Sequence, residues 1–276
     1  MVIASPRRGK DMSTSMDRLR MTVARRAEAD RLLSTAWCLL PLVGALIGIA
    51  LSFWLFTLTF GRPYMALQMT GTIYLVGFLA SLIPSVLMLY LIYMLIKRRN
   101  THFRRTQDLF ADIVATLREL SAEKGVDITG QLSLVERYLS EARMEEVERS
   151  PILWVVLCII PIVNVFAILY VLYFLMRDWY RHERREDDMW MQVNSALTAL
   201  GYRPIDTRRP EPIPHRSFFV YLVLYFILPL IWTVYWLYTL VKDPNNHMTS
   251  QARIEDDLLL VLGGTPTAPP TPPTVT

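Results

Sequence analysis

The chain has 276 residues, of which 53% are hydrophobic, and its formal net charge is +4. Together with a mean hydropathy of +0.28, this composition excludes an ordinary soluble domain and favours a protein with membrane segments. Residues 1–31 are charged and contain no short apolar core beside a cleavage site, so we expect no secretory signal peptide.

The first feature along the chain is the basic N-terminal arm, residues 1–31, whose later part, residues 12–31, has the spacing of a helix. Four stretches without Asp, Glu, Lys or Arg follow. They are residues 32–60, 63–96, 150–176 and 217–241. Each could supply the roughly 20 helical residues that cross a hydrocarbon core. These stretches predict an all-α integral membrane protein.

The polar segments complete the predicted organisation. Residues 32–125 are expected to form a transmembrane hairpin followed by a helix. Residues 131–201 are expected to form an amphipathic helix, an apolar segment and a further helix. A proline-rich linker, residues 202–216, precedes the last apolar segment and helix, residues 217–263. Residues 264–276 have the Thr- and Pro-rich composition of a disordered tail.

Lysine and arginine are distributed unevenly along the chain. There are 8 in residues 1–31, 10 in residues 97–149 and 8 in residues 177–216, whereas residues 61–70 contain only Arg62. Short basic segments stay in the cytoplasm. We therefore expect a cell-membrane protein whose N-terminus and most basic segments are cytoplasmic.

The charge distribution leaves two topologies open for the later apolar stretches. If residues 150–176 crossed the membrane once, the basic residues 177–216 would lie outside, against the usual bias. Re-entrant hairpins would keep that segment inside, and Pro161 and Pro229 offer breaks in the helices. A simple four-span protein with proline-kinked helices is the alternative.

The main feature of the sequence is a degenerate threefold repeat. In each copy two tyrosines three residues apart are followed by a basic residue and then by a histidine. The copies are Tyr90, Tyr93, Lys97 and His102; Tyr170, Tyr173, Arg177 and His182; and Tyr235, Tyr238, Lys242 and His247. An apolar stripe with a spacing of four follows each histidine and predicts an amphipathic cytosolic helix. Gly125, Gly201 and Gly263 are expected to close these helices.

The tyrosines and basic residues of the repeat are expected to contact lipid. Tyrosine suits the headgroup layer because its apolar ring ends in one polar group. Lysine or arginine one helical turn later can reach anionic headgroups. The stretch DPNN, which follows Lys242, predicts a turn before His247.

The repeated histidines permit three interpretations. Each could form a hydrogen bond to a turn or a headgroup where the chain leaves the membrane. All three could instead bind a divalent metal such as zinc, with Glu186, Gln251 and Glu255 as further groups. They could also sense pH. No short HxxxH pair singles out the metal interpretation.

No catalytic pattern accompanies the repeat. The sequence contains no GxGxxG, Walker A, GxSxG, HExxH or CxxC motif. Cys38 and Cys158 lie within apolar stretches and are expected to be small buried side chains. We therefore predict neither enzymatic activity nor an organic cofactor. The 25 acidic residues balance the basic ones and disfavour a nucleic-acid partner.

The repeat unit resembles one found in uncharacterised small polytopic membrane proteins of prokaryotes. The residues that carry the resemblance are Arg177-Asp178, Lys242-Asp243 and the stretch DPNNHMTSQARIED. The first copy departs from the pattern, with Arg98 and Thr106 in place of the acid and the amide. The resemblance brings no function and no site residue.

The sequence thus favours a non-enzymatic membrane scaffold or membrane-shaping protein with a cytosolic helical layer. Its expected partners are the bilayer and either a second copy or another membrane protein. An oligomeric channel or ion-binding transporter that uses the repeated histidines is the alternative. An accessory subunit of a larger membrane complex is a further one.

Overall fold

A computed structural model describes residues 8–61, 64 and 70–263. The described residues are mostly helical and include no strand, which confirms the all-α prediction. The predicted tail, residues 264–276, lies outside the described residues. The helices are α1 (Arg8–Ala24), α2 (Arg26–Ala29), a 3-10 helix (Thr35–Leu39), α3 (Leu40–Gly61), α4 (Thr70–Lys124), α5 (Thr129–Glu145), α6 (Pro151–Ile159), α7 (Val163–Ala199), α8 (Phe218–Ile227) and α9 (Pro229–Val261).

Three helical hairpins contain the apolar stretches. Helix α3 packs against α4, α6 against α7, and α8 against α9. The second hairpin folds back tightly, because the rings of Trp154 and Tyr170 lie 5.2 Å apart. In the third, the rings of Tyr221 and Trp236 also lie 5.2 Å apart. Residues 150–176 and 217–241 each form two helices that fold back on each other, and not the single proline-kinked helix of the four-span alternative.

The hairpins begin and turn at residues suited to those positions. The Ser34 hydroxyl accepts a hydrogen bond from the Ala36 N–H, and the Ser150 hydroxyl accepts one from Leu153, so each caps a helix start. Between α6 and α7, Ile162 takes a φ of 69°. A β-branched residue is strained in this left-handed region. The tight turn of the second hairpin therefore carries a conformational cost.

The long helices α4, α7 and α9 continue without a break from the hairpins through the histidines. His102, His182 and His247 are therefore inside helices, and the turn predicted for DPNN is wrong. Pro244 lies within α9 and has no N–H to donate to the Leu240 carbonyl one turn earlier. The Arg98 guanidinium donates to that carbonyl at 3.0 Å instead. Helix α9 can accommodate the proline because this acceptor is satisfied.

Two large apolar clusters pack along the long helices. The hairpin cluster includes Leu91, Ile96, Phe174 and Trp236. The layer cluster joins α1 and α5 to the far ends of the long helices and includes Leu109, Ile113, Val193, Leu197, Ile254 and Leu258. Each of the three histidines falls between the two clusters along its helix. The histidines therefore lie in a polar layer with an apolar cluster on either side.

The ends of the long helices follow the sequence pattern. Gly125, Gly201 and Gly263 all take positive φ, between 67° and 83°. After α7, the Tyr202 N–H donates to the Leu197 carbonyl, which closes the last turn. The prediction that these three glycines end the helices is confirmed.

Two helical segments, Thr35–Leu58 and Tyr74–Lys124, are long and apolar enough to cross a membrane. Their most apolar windows are 0% and 11% buried, respectively. A core helix of a soluble protein would be mostly buried, so this apolar surface needs another cover.

Candidate metal centre

The three histidines of the repeat meet at one point. His102 comes from α4, His182 from α7 and His247 from α9, and one ring nitrogen from each lies within 4.8 Å of the others. The residues are between 0% and 3% exposed. Sequence spacing alone left open whether they come together, and the structure brings them together.

Each histidine is oriented by a carboxylate. The distance from Nδ1 to the nearest carboxylate oxygen is 2.8 Å for His102 and Asp30, 3.1 Å for His182 and Glu146, and 2.9 Å for His247 and Glu183. A carboxylate at Nδ1 favours the tautomer with the proton on Nδ1. That tautomer leaves the Nε2 lone pair available, as in carboxylate–histidine–zinc arrangements.

The Nε2 atoms of His102 and His247 face each other at the centre of the cluster. His247 Nε2 lies 3.1 Å from His102 Nε2 and 3.1 Å from Glu186 Oε2. His182 Nε2 has no hydrogen-bond partner among the described residues. Zinc–nitrogen bonds of about 2.0–2.1 Å in a tetrahedron place neighbouring ligand atoms about 3.3 Å apart. The two short separations are close to that value.

The charges at the centre suit a cation. Burial, only partly offset by Asp30, lowers the pKa of His102 to about 3, so this imidazole is neutral. Burial also lowers the pKa of His247, but Glu186 and Glu183 outweigh it and hold that pKa above its ordinary value. A positive charge is thus favoured between His247 and the carboxylates. A proton on His247 or a metal ion could supply it.

Glu186 contacts His247 on its Nε2 side, at 3.1 Å. Burial opposes its ionisation, but Arg209 and His247 outweigh burial and hold its pKa well below the ordinary value. Arg209 reaches it from the linker, at 3.0 Å, and also lies 2.9 Å from Asp187. The proline-rich linker therefore covers this side of the centre and supplies a charge to it.

The other two predicted ligands lie elsewhere in the polar layer. Gln251 donates to the Thr106 hydroxyl at 3.2 Å, and Glu255 accepts from Arg105 at 2.8 Å. Both lie one or two turns after His247 on α9 and face neighbours other than the histidines. Of the three further groups, only Glu186 contacts the trio.

Sequence reasoning missed Asp30 and Glu146, although a signal for them exists. Each lies four residues before the serine that begins an apolar hairpin, Ser34 or Ser150. Each also binds the arginine three residues after its histidine, since Arg105 is 2.6 Å from Asp30 and Arg185 is 2.5 Å from Glu146.

The third hairpin departs from this pattern because Ile213 occupies the position of the acid. Its backbone N–H donates to Glu183 at 2.6 Å, and Glu183 holds His247 in place of a local acid.

The predicted interface residues take matching positions on the three long helices. The first tyrosines, Tyr90, Tyr170 and Tyr235, are 48%, 45% and 42% exposed. The basic groups lie 5.7, 5.8 and 6.0 Å from the ring centroids of the second tyrosines. These pairs are Lys97–Tyr93, Arg177–Tyr173 and Lys242–Tyr238. In each copy the basic group thus lies over the ring of the tyrosine one helical turn before it.

No protein-family model, curated protein or solved structure matches this chain. Three imidazoles and one carboxylate form a donor set typical of zinc and similar divalent metals.

We expect the polar layer to be sensitive to the loss of one buried charge. Arg105 is 1% exposed and binds both Asp30 and Glu255. Arg105→Ala leaves these carboxylates without their main partner and should lower the free energy of unfolding by about 3–5 kcal/mol. Unfolding by denaturant in detergent, followed by tryptophan fluorescence, measures this change.

Arg137→Ala is the matched control. Arg137 pairs with Glu141 at 3.1 Å on the exposed face of α5, where its side chain is 71% exposed. Its loss should change the unfolding free energy by about 0.5 kcal/mol or less. Equal effects of the two variants would contradict a tightly paired polar layer.

Proposed function

We propose that this protein is an integral membrane protein whose three apolar hairpins anchor a cytosolic helical layer assembled around one divalent metal ion. The observation that carries the proposal is the convergence of His102, His182 and His247, each with a carboxylate at Nδ1. In this proposal the ion joins the three long helices and has a structural role. The repeat explains the centre, because each copy contributes one ligand.

Membrane insertion is supported by the uncovered apolar surface of the hairpins. Phe53, Phe60 and Tyr74 are among many large side chains that are more than half exposed. Helix α3 has 22 residues, or about 33 Å, which matches a hydrocarbon core of about 30 Å. The basic residues lie mostly in the helical layer, and this charge bias supports a cytoplasmic position for that layer.

A structural role suits the closed geometry of the centre. The three histidines are almost fully buried, and Glu186 offers a fourth protein ligand. Structural zinc sites are closed by four protein ligands, whereas catalytic sites keep one position open. The same burial disfavours the channel alternative, since the ring lies inside one chain between two apolar clusters.

The metal proposal predicts about one zinc-class ion per chain. Protein purified in neutral detergent without chelators should contain that amount by elemental mass spectrometry. His102→Ala, His182→Ala and His247→Ala should each lose it, because a structural site with too few ligands binds weakly. Cobalt in place of zinc should give the absorption bands of tetrahedral coordination.

His215→Ala is the matched control, because the fourth histidine packs on Tyr180 outside the centre, with ring centroids 5.1 Å apart. It should keep its metal. Asp30→Asn and Glu146→Gln retain the side-chain shape and should weaken metal affinity by about 10–100-fold. Wild-type protein that neither contains metal nor binds added zinc or cobalt would refute the proposal.

Cysteine labelling tests whether the bases of the three hairpins all lie on the same side of the membrane. In a Cys38→Ala, Cys158→Ala background, an impermeant maleimide applied to intact cells should label Gly61→Cys only. Asp206→Cys and Glu123→Cys should react only after permeabilisation, because both lie in the helical layer. External labelling of Asp206→Cys would exclude re-entrant hairpins.

Membrane shaping is a second candidate function, favoured by the unequal hairpins. Helices α6 and α8 have 9 and 10 residues. At 1.5 Å per residue they are only about 14–15 Å long, half of a hydrocarbon core. If inserted, the second and third hairpins expand one leaflet only, which bends a membrane.

Reconstitution into vesicles tests this second candidate. Wild-type protein should reduce vesicle diameter relative to protein-free vesicles, as seen by electron microscopy. Ile162→Asp with Leu228→Asp puts a charge at each short hairpin's tip and should abolish the effect. Met21→Asp, on the exposed surface of α1, is the control. Unchanged diameters with wild-type protein would exclude membrane shaping.

A further inference from the structure

A polar cavity of about 270 Å³ opens beside the second hairpin. Five arginines and three carboxylates line it, so its walls have a formal charge of +2. The arginines are Arg99, Arg149, Arg177, Arg181 and Arg185. The histidines do not line this cavity, although Glu146, which holds His182, lies in its wall.

The carboxylates of the cavity are shared among its arginines. Asp178 lies 2.9 Å from Arg99 Nη2 and 3.2 Å from Arg149 Nε. Glu145 lies 3.5 Å from Arg181 and 2.7 Å from Arg185. Each of these acids thus faces two guanidinium groups. The arginines of the cavity therefore carry more charge than its carboxylates neutralise.

Two cavity arginines have donor capacity left. Arg177 donates to the Tyr173 hydroxyl at 3.2 Å and pairs with no carboxylate among the described residues. Arg99 is 0% exposed, and its Nε has no hydrogen-bond partner in the described part of the chain. Arg99 thus has a donor for which the described residues offer no acceptor.

The cavity lies at the base of the hairpin. Arg149 directly precedes the capping residue Ser150, and Arg177 directly follows Met176, the last residue of the apolar stretch. If the hairpin is inserted, these residues lie at the depth of lipid phosphates.

The third hairpin has the same arginine and aspartate but a different electrostatic balance. Arg216, directly before Ser217, pairs with Asp243 as Arg149 pairs with Asp178. There the basic residue Lys242 is neutralised by Glu211 at 2.8 Å. The excess of arginine is thus particular to the second hairpin.

We propose that the cavity lined by Arg99, Arg149, Arg177 and Arg181 binds a phosphomonoester group. Such a group carries a charge of about −1.5 to −2 at neutral pH and three acceptor oxygens, which complements the +2 walls. Guanidinium groups bind phosphate through paired hydrogen bonds. A phosphatidic-acid headgroup and a soluble phosphate share this chemistry. The lipid source rests on the proposed membrane insertion, whereas the phosphate site does not.

Calorimetric titration in neutral detergent tests the site. Dihexanoyl phosphatidic acid should bind, and dihexanoyl phosphatidylcholine should not. Arg177→Gln with Arg181→Gln should weaken binding about tenfold or more, because charge-assisted hydrogen bonds are lost. Both side chains are exposed and contact no residue of the metal centre, so the fold and the metal content should persist.

Lys97→Gln with Lys242→Gln is the matched control, since it removes two charges at the same level of the other hairpins. The affinity of this control variant for dihexanoyl phosphatidic acid should stay within about twofold of wild type. Tighter binding of phosphatidic acid than of inorganic phosphate identifies a lipid ligand, whereas equal affinity identifies a soluble phosphate. Absence of binding by both, or an equal loss in the control, would overturn the proposal.

Discussion

The burial of charge in the middle of a helical bundle is the constraint on which the rest of the structure depends. The long helices pass from one apolar cluster to another through a layer that contains Arg26, Arg99, Arg105 and Glu255, all 2% exposed or less. A buried charge is costly unless it is paired and hydrogen-bonded. The helices must therefore hold a register in which the carboxylates meet the arginines and histidines. The same register brings one ring nitrogen of each histidine together.

Much of this arrangement could be predicted from local spacing. The repeated interval from tyrosine to base to histidine put three histidines at equivalent positions. In a helix, equal sequence intervals give equal distances along the helix axis. The closing glycines followed from the need for positive φ after a helix. Pro161 indicated the second hairpin's turn, whose strained residue is the neighbouring Ile162. All of these features depend on residues close together in the chain.

Features that depend on distant contacts could not be predicted. Asp30 and Glu146 lie before their hairpins, and 72 and 36 residues separate them from the histidines that they hold. Glu183 replaces the acid that the third hairpin lacks, and 64 residues separate it from His247. The sequence also left open whether the later apolar stretches fold back. Ring contacts such as that of Tyr221 with Trp236 decide this in the structure. Periodicity gives the orientation of a side chain on its own helix but does not name its partner.

The pairing of Arg98 with the Leu240 carbonyl has a consequence for how this chain can vary. Pro244 creates an acceptor that only a donor from another helix can satisfy, and Arg98 supplies it from within the buried layer. Any residue other than proline at position 244 would restore the backbone donor, and the Leu240 carbonyl would then accept from both groups. Loss of the arginine alone would leave the carbonyl unsatisfied. Pro244 thus depends on Arg98, although the first copy's arginine looked like a mere departure from the repeat.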